Sequence, residues 1–439
     1  MMKATLEDVS SVKKKLFVEI DADDVDKKIE ETFKRFGKNA KIKGFRPGKI
    51  PRKILENYFG SQVLTDVTDS LIRETLPRAI EETKTFPLEM PVVDNEIVKT
   101  GENYSYSATM EVKPEFELKE FLGIKAEKEI CSVTDDHVSD HLNRIREASG
   151  TLVSVSEENR GVKEGDFAVI DYAAYDSGNA IETVKGNNVS IKIGGKDFYP
   201  GIEDALIGKK KGSQTETRVD FEADHRDSRL AGKSIDFKVK LVDIKELILP
   251  ELNDEFVKDL GGEFKTLDEL KEKIKKDLVR REEARIDKEL KERIVKKISE
   301  KVDFELPECL VAAEINAAVE NVKQNLRRSG STLESAGIDE LALKEQFRPM
   351  AEDMVKDMFI LGTIARQNEL KISSEDEIKA FEEMGSAYGQ SPEVLRKYYE
   401  ANNLMDSLRE SLLKEKTLNF LVENAKIEEI AADKLNKVN

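Results

Sequence analysis

The chain has 439 residues, of which 37% are charged and 6% aromatic, with no tryptophan and a formal net charge of −17. This length makes several domains, each large enough for its own core, and so acidic a balance excludes general nucleic-acid binding: any meeting with phosphate must be local. No segment approaches the ~18 apolar residues of a membrane span, no signal-type apolar core follows Met1, and Cys131 and Cys309 belong to no CxxC pair, which together point to the cytosol and to reduced thiols.

Residues 1–112 read as a small α+β domain. Leu16, Val18 and Ile20 alternate with Phe17 and Glu19, and Tyr104, Tyr106, Ala108, Met110 and Val112 alternate with Ser105, Ser107, Thr109 and Glu111, the pattern of half-buried strands. Helical spacing runs over 24–36 and 61–84, the latter with Val63, Val67, Leu71 and Ile72 on one side. Between these helices the sign of the charge reverses. From Lys38 to Leu55 there are seven cations (Lys38, Lys41, Lys43, Arg46, Lys49, Arg52 and Lys53) and no Asp or Glu. Gly44 and Gly48 open backbone angles closed to other residues, while Pro47 and Pro51 fix φ, so the stretch is a rigid exposed turn with Phe45 among cations. Such a tip suits a partner offering both phosphates and an apolar crevice. It is not a phosphate-binding P-loop: the glycines are one residue too close, and Ile50 stands where Ser or Thr would hold magnesium.

Residues 113–149 form a connector with one helix, N-capped by Thr134 and striped by Val138, Leu142 and Ile145. His137 and His141 lie one turn apart on it, but no third ligand accompanies them, so no metal site is assigned. From 150 to 246 the period changes to two: Val189, Ile191 and Ile193, then Thr215 to Phe221, then Ile235 to Leu241 alternate with polar residues, as in an antiparallel half-wrapped sheet. One short helix, Gly201 to Leu206, is entered through Pro200 and closed by Gly208. After Pro250 the pattern is helical, with a capping box at Thr266 and Glu269, a second helix from Pro307 to Arg328, a kink or restart at Pro349, an N-cap at Ser391-Pro392 and a last helix over 406–423. No strict heptad is kept, which favours an irregular helical array over a coiled coil, and no periodicity singles out an apolar binding patch.

The run Gly44-Phe45-Arg46-Pro47-Gly48-Lys49-Ile50-Pro51 closely resembles the ribosome-binding signature of the trigger factor family, bacterial chaperones that meet nascent chains at the tunnel exit. The resemblance implies that Gly44, Phe45, Arg46, Pro47, Gly48 and Lys49 meet a ribosomal protein and adjacent rRNA; Pro47 stands where another basic residue is common. The 150–246 segment resembles the FKBP-type prolyl isomerase fold, which implies that Tyr172, Phe198, Tyr199, Ile202 and Phe237 form the catalytic pocket, lined further by Ile181, Val189 and His225 with Glu182 at its rim. Ile181, Val189 and Ile202 stand where that family commonly has aromatics, and His225 where it has Tyr, so weak isomerase activity is expected.

The expected architecture is multidomain: an α+β ribosome-docking domain (1–112), a connector (113–149), an FKBP-like sheet domain (150–246) and an all-α chaperone domain (247–439). The expected function is ATP-independent holding of nascent and unfolded polypeptides, with X-Pro isomerisation, no cofactor, no metal and no membrane, in the cytoplasm and at the ribosome. The long helices leave room for weak self-association. Rival readings are an FKBP-like module that only binds, a dedicated isomerase oligomerised by its helices, and an RNA-binding translation factor, which the acidity disfavours.

Overall fold

A computed structural model describes residues 2–43, 45, 49–156, 160–195, 198–199, 201–222, 230–262 and 264–431. Two compact units emerge, each discontinuous in sequence: Met1–Lys128 with Glu289–Glu429, and Glu129–Lys288 with Ile430–Asn439.

The chain opens with a hairpin, β1 (Met2–Asp8) and β2 (Lys13–Ile20), followed by helices α1 (Ala22–Asn39) and α2 (Arg52–Glu82) and strands β3 (Val92–Asn95) and β4 (Tyr104–Glu111). The antiparallel sheet has the order β1-β2-β4-β3. The alternation that predicts β2 and β4 turns Leu16, Val18, Tyr106 and Ala108 onto Ile29 and Phe33 of α1 and Val63 and Val67 of α2. Helix α2 starts well before the expected residue 61. Pro51 sits at its N-cap with φ −58°, already near helical, and Leu55 buries the first turn in the same core. Strand β5 (Lys125–Glu129) crosses the connector, and α3 (Asp135–Ala148) follows it.

The second sheet holds β6 (Thr151–Ser154), β7 (Phe167–Asp176), β8 (Asn179–Lys192), β9 (Gln214–Asp220) and β10 (Ser234–Ile248), with helix α4 (Ile202–Leu206) before β9. Strand β10 is the hub, pairing with β6, β7 and β9, all antiparallel, while β7 also pairs with β8. Strand β8 is longer than its sequence pattern shows, because polar Glu182, Thr183 and Lys185 hide the alternation; the β7–β8 turn at Ser177-Gly178, both with positive φ, sets its pairing.

The helical region comprises α5 (Asp254–Asp259), α6 (Leu267–Ser299), α7 (Glu308–Arg328), α8 (Glu340–Gln367), α9 (Ser374–Tyr388), α10 (Pro392–Ala401) and α11 (Met405–Glu423), after which β11 (Lys426–Ile430) pairs with β5. The expected capping box forms at the head of α6: Glu269 N–H donates to Thr266 Oγ1 at 3.3 Å, and the Glu269 carboxylate accepts from Lys265 N–H at 2.8 Å and Thr266 N–H at 3.4 Å. Pro349 does not restart a helix. It lies inside a continuous α8, where burial of Ala351 and Val355 against Val311, Ile315 and Val319 of α7 outweighs the lost backbone hydrogen bond. Among the described residues no helix is long and apolar enough to cross a membrane.

Candidate functional site

In the second sheet, aromatic side chains converge from separate elements. Strand β7 supplies Tyr172, β10 supplies Phe237, and the segment entering α4 supplies Phe198 and Tyr199. Gly201 turns the chain into α4 with φ +78°, a conformation that costs glycine little, so that Ile202 drops into the core directly below. Ring centroids lie 5.2 Å apart for Tyr172 and Phe198, 4.9 Å for Phe198 and Tyr199, and 4.9 Å for Tyr199 and Phe237. Edge-to-face geometry dominates, as the ring quadrupole favours. Phe237 and Ile202 have no exposure and form the floor, while Tyr172, Phe198, Tyr199, Ile181 and Val189 are half-buried around it.

Local devices hold Tyr172. Its register partner on β8 is Gly186, where a Cβ would lie 2.6 Å from the Tyr172 ring and 2.7 Å from Val189, so the missing side chain is the space in which the ring lies. Beside it the Asp171 carboxylate accepts the Asn188 N–H at 2.8 Å, Asn188 has φ +53°, and the β7–β8 register shifts between Ile170 and Tyr172. This bulge bends β8 around the rings.

Glu182 is exposed and ion-paired with Lys185, whose hydrogen bond holds its carboxyl below the usual range. His225 and Pro200 lie outside the described residues. One ring escaped sequence reasoning: Phe221, 7% exposed, meets Tyr199 edge-on at 6.1 Å and Phe237 at 6.3 Å. The Thr215 to Phe221 alternation marks it as inward-facing but does not assign it to the ring cluster.

Of the basic loop, Phe45 and Lys49 are described, and both are exposed, Phe45 by 39%. Gly44, Arg46, Pro47 and Gly48 lie outside the described residues. The loop is anchored at both ends by Ile42 and Ile50, which pack on the first core, and Phe45 N–H donates to Ile42 C=O at 3.1 Å. Arg52 is already engaged, with its guanidinium 3.4 Å over the Phe33 ring and Nε 2.7 Å from Glu56.

On α8, Met350, Met354 and Met358 are each about half exposed and recur every fourth residue, so they form one face of the helix. Sequence reasoning found no such patch, although this spacing announces it. His137 serves its own helix. Its N–H donates to Thr134 Oγ1 at 3.4 Å and its Nδ1 accepts from Thr134 N–H at 3.3 Å, closing a capping box at the head of α3.

A half-wrapped sheet around an aromatic floor, carried on a chain that also bears a basic loop and long helices, defines a multidomain folding factor with a prolyl-isomerase-type module. Residues 2–145 match the family model of bacterial trigger factor protein, 266–423 that of its C-terminus, and 158–242 that of FKBP-type peptidyl-prolyl cis-trans isomerase. The trigger factor of Geotalea daltonii is 34% identical over 439 residues, covering 99% of this chain and all of the relative. That of Bacillus subtilis is 37% identical over 414 residues, covering 93% and 96%. A solved trigger factor chaperone structure superposes with a TM-score of 0.50 at 21% identity, over 95% of this chain and 99% of that one, which shows a shared fold. The chain belongs to the trigger factor family and is a chaperone with an FKBP-type domain.

Proposed function

We propose that this chaperone docks at the ribosomal tunnel exit through Gly44, Phe45, Arg46, Pro47, Gly48 and Lys49, holds emerging chains on exposed apolar faces, and isomerises their X-Pro bonds weakly in the Tyr172, Phe198, Tyr199, Ile202 and Phe237 cluster, with Ile181, Val189, Glu182 and His225 around it. The observation that carries the catalytic part is the convergence of Tyr172, Phe198 and Tyr199 over buried Phe237. The working boundaries are 1–112 for docking, 113–149 for the connector, 150–246 for isomerisation and 247–439 for holding, and the working place is the cytoplasm.

The reaction needs no nucleophile. Resonance holds the X-Pro bond planar against a barrier of about 18–20 kcal/mol, and the twisted transition state is less dipolar than the planar amide. An apolar aromatic floor therefore favours the twisted form over the planar one, provided that the prolyl ring is held. Phe198 and Tyr199 form the clamp, with Tyr199 braced by Phe221 and Phe237. Ile181 and Val189 offer no ring where FKBP-type pockets commonly have one, which limits the hold and the rate.

The methionine face of α8 suits clients of varied sequence, because unbranched, polarizable Met side chains adapt to different partners. Docking would place such weak faces beside the emerging chain, so effective concentration supplies occupancy and client folding supplies release without ATP. A protease-free proline isomerisation assay tests catalysis: acceleration by wild-type protein is expected, and none would leave a binding module. Ribosome co-sedimentation tests docking. The Phe45, Arg46 and Lys49 triple alanine variant should stay folded and lose binding, and wild-type binding should weaken with salt at a log-log slope of about two for some three phosphates.

A further inference from the structure

Within the first compact unit, the N-terminal sheet and the helical region exchange carboxylates at one joint. Helix α7 begins after Pro307, whose side chain offers no acceptor to the orphan N–H groups of the first turn. One of these is satisfied from 198 residues away: Glu111 Oε2, at the end of β4, accepts the Cys309 N–H at 2.8 Å. In the opposite direction Glu305, just ahead of α7, accepts the Ser11 hydroxyl at 2.9 Å from the β1–β2 turn. The Ser10 and Ser11 hydroxyls, with the Ser11 and Val12 backbone N–H groups, hold the Glu305 carboxyl below its usual range. Both points lie at one end of the sheet, where Lys13 pairs with Glu111 and Val112 N–H donates to Val12 C=O at 2.8 Å. In the chain segments that adjoin them, the Phe116 and Phe304 rings stack at 4.1 Å with 5° between their planes.

We infer that Glu111 and Glu305 form a reciprocal latch that fixes the N-terminal sheet to α7 and opens locally, as one event, without unfolding either side. The anatomy supports this. Each half of the latch puts an acceptor of one side against donors of the other, so neither side needs the other for its own core: the sheet packs on α1 and α2, and α7 packs on α8. The Ser11–Glu305 bond is exposed and the Glu111–Cys309 bond only partly buried, so each adds little and the joint is the weak place in the unit. The basic loop and the methionine face belong to this same unit, so a closed latch makes the position of one determine the position of the other.

Cys309 reports the state of the joint. Burial, then the hydrogen bond and charge of Glu111, push its thiol up to about 12, so the closed joint leaves almost no thiolate. The experiment is N-ethylmaleimide labelling of the full chain at neutral pH, with the Cys131 thiol, in the second unit, as internal reference. Glu305→Ala removes the half of the latch that does not touch Cys309; losing an exposed charged hydrogen bond should raise the Cys309 rate about two- to threefold with Cys131 labelling and helicity unchanged. Ser11→Ala should move the same rate in the same direction by less. Glu111→Ala is the less selective variant, since it also removes a charge beside the thiol. A Cys309 rate unmoved by Glu305→Ala overturns the latch, and so does a rise of Cys309 and Cys131 together, which would mean general loosening. Neither result bears on ribosome docking, which the loop variant tests separately.

Discussion

The ring cluster of the FKBP-type sheet and the methionine face of α8 are both apolar, and they are built on opposite plans. The cluster draws its side chains from β7, β10 and the entry to α4, places Phe237 and Ile202 beyond reach of water, and holds Tyr172 in a slot that Gly186 leaves open. The face draws Met350, Met354 and Met358 from one helix and leaves them half exposed. A site assembled from distant strands, with each ring held by the next, recognises one shape. A row of flexible thioethers recognises apolar surface of any shape. Under the proposed function, the difference would let one chain serve a defined bond and undefined clients at once, with rigidity where the chemistry is single and adaptability where the partners are many.

The most severe way to probe this division is Phe237→Ala. The side chain has no exposure and touches the rings of Tyr172, Tyr199 and Phe221, so its removal should cost about 3–5 kcal/mol and abolish isomerisation. Suppression of aggregation of a proline-free client should persist. If holding falls in step with isomerase activity, the two regions do not divide the work.

Legibility in the sequence follows the same division. Strands β2, β9 and β10 were readable because one face is buried and the other wet, and β4 because its polar residues alternate with Tyr104, Tyr106, Ala108 and Met110 although its second face is largely covered. The caps of α3, α6 and α10 were readable because Thr134, Thr266 and Ser391 declare themselves locally. What escaped depends on distant partners. Strands β3 and β6 are four residues each, too short to show a period, and β5 and β11 define one another across most of the chain. Tyr172, Phe198, Tyr199 and Phe237 were reached through family resemblance, since no local pattern brings residues this far apart into one cluster. Phe221 escapes because it follows β9 by one residue, and an inward-facing side chain there looks the same in sequence whether it fills a core or braces a site.

A second probe, Ile202→Phe, asks how rigid the cluster is. Although Phe would supply the ring that FKBP-type pockets commonly have, Ile202 sits in the first turn of α4 with no exposure, enclosed by the core of the sheet. Overpacking should cost about 1–3 kcal/mol, lowering both the thermal midpoint and the isomerisation rate. A gain in rate would mean that the floor can move, and the contrast with the methionine face would soften.

The third probe acts on the other side of the comparison. Met350, Met354 and Met358 changed together to Ser should leave folding almost untouched, since exposed positions rarely shift stability by more than about 0.5 kcal/mol. Client affinity should fall by about tenfold as apolar area is lost, measured by titration with an unfolded fluorescent client, while isomerisation of a short peptide stays constant. Unchanged affinity would assign holding to another face.

The smallest effect concerns a carboxylate set into the same helix. Asp357 lies between Met354 and Met358 in sequence but is partly buried, and burial pushes its carboxyl up to about 6; the neighbouring Asp353 adds to the rise, while Lys414 of α11 and Lys356 oppose it. Because the folded state holds this proton more tightly than the unfolded chain, whose Asp titrates near about 4, the group favours the fold only while protonated. Stability should therefore fall as pH rises from about 4 through about 6, with the full penalty present at neutral pH. Asp357→Asn keeps the shape and removes the charge, so at about pH 7 it should stabilise the protein by on the order of 1 kcal/mol, or about 2–4 °C in thermal midpoint, an effect that vanishes at about pH 4. Asp376 gives the opposite sign for comparison: Lys416, with Ser373, holds it down at about 2, so its contribution is present at neutral pH and is lost only as pH falls toward that value. Thermal unfolding of wild type and Asp357→Asn at these two pH values decides the matter. Equal midpoints at neutral pH would mean that water reaches Asp357 freely, and that the wet, adaptable character of the methionine face extends deeper into α8 than its packing against α7 and α11 implies.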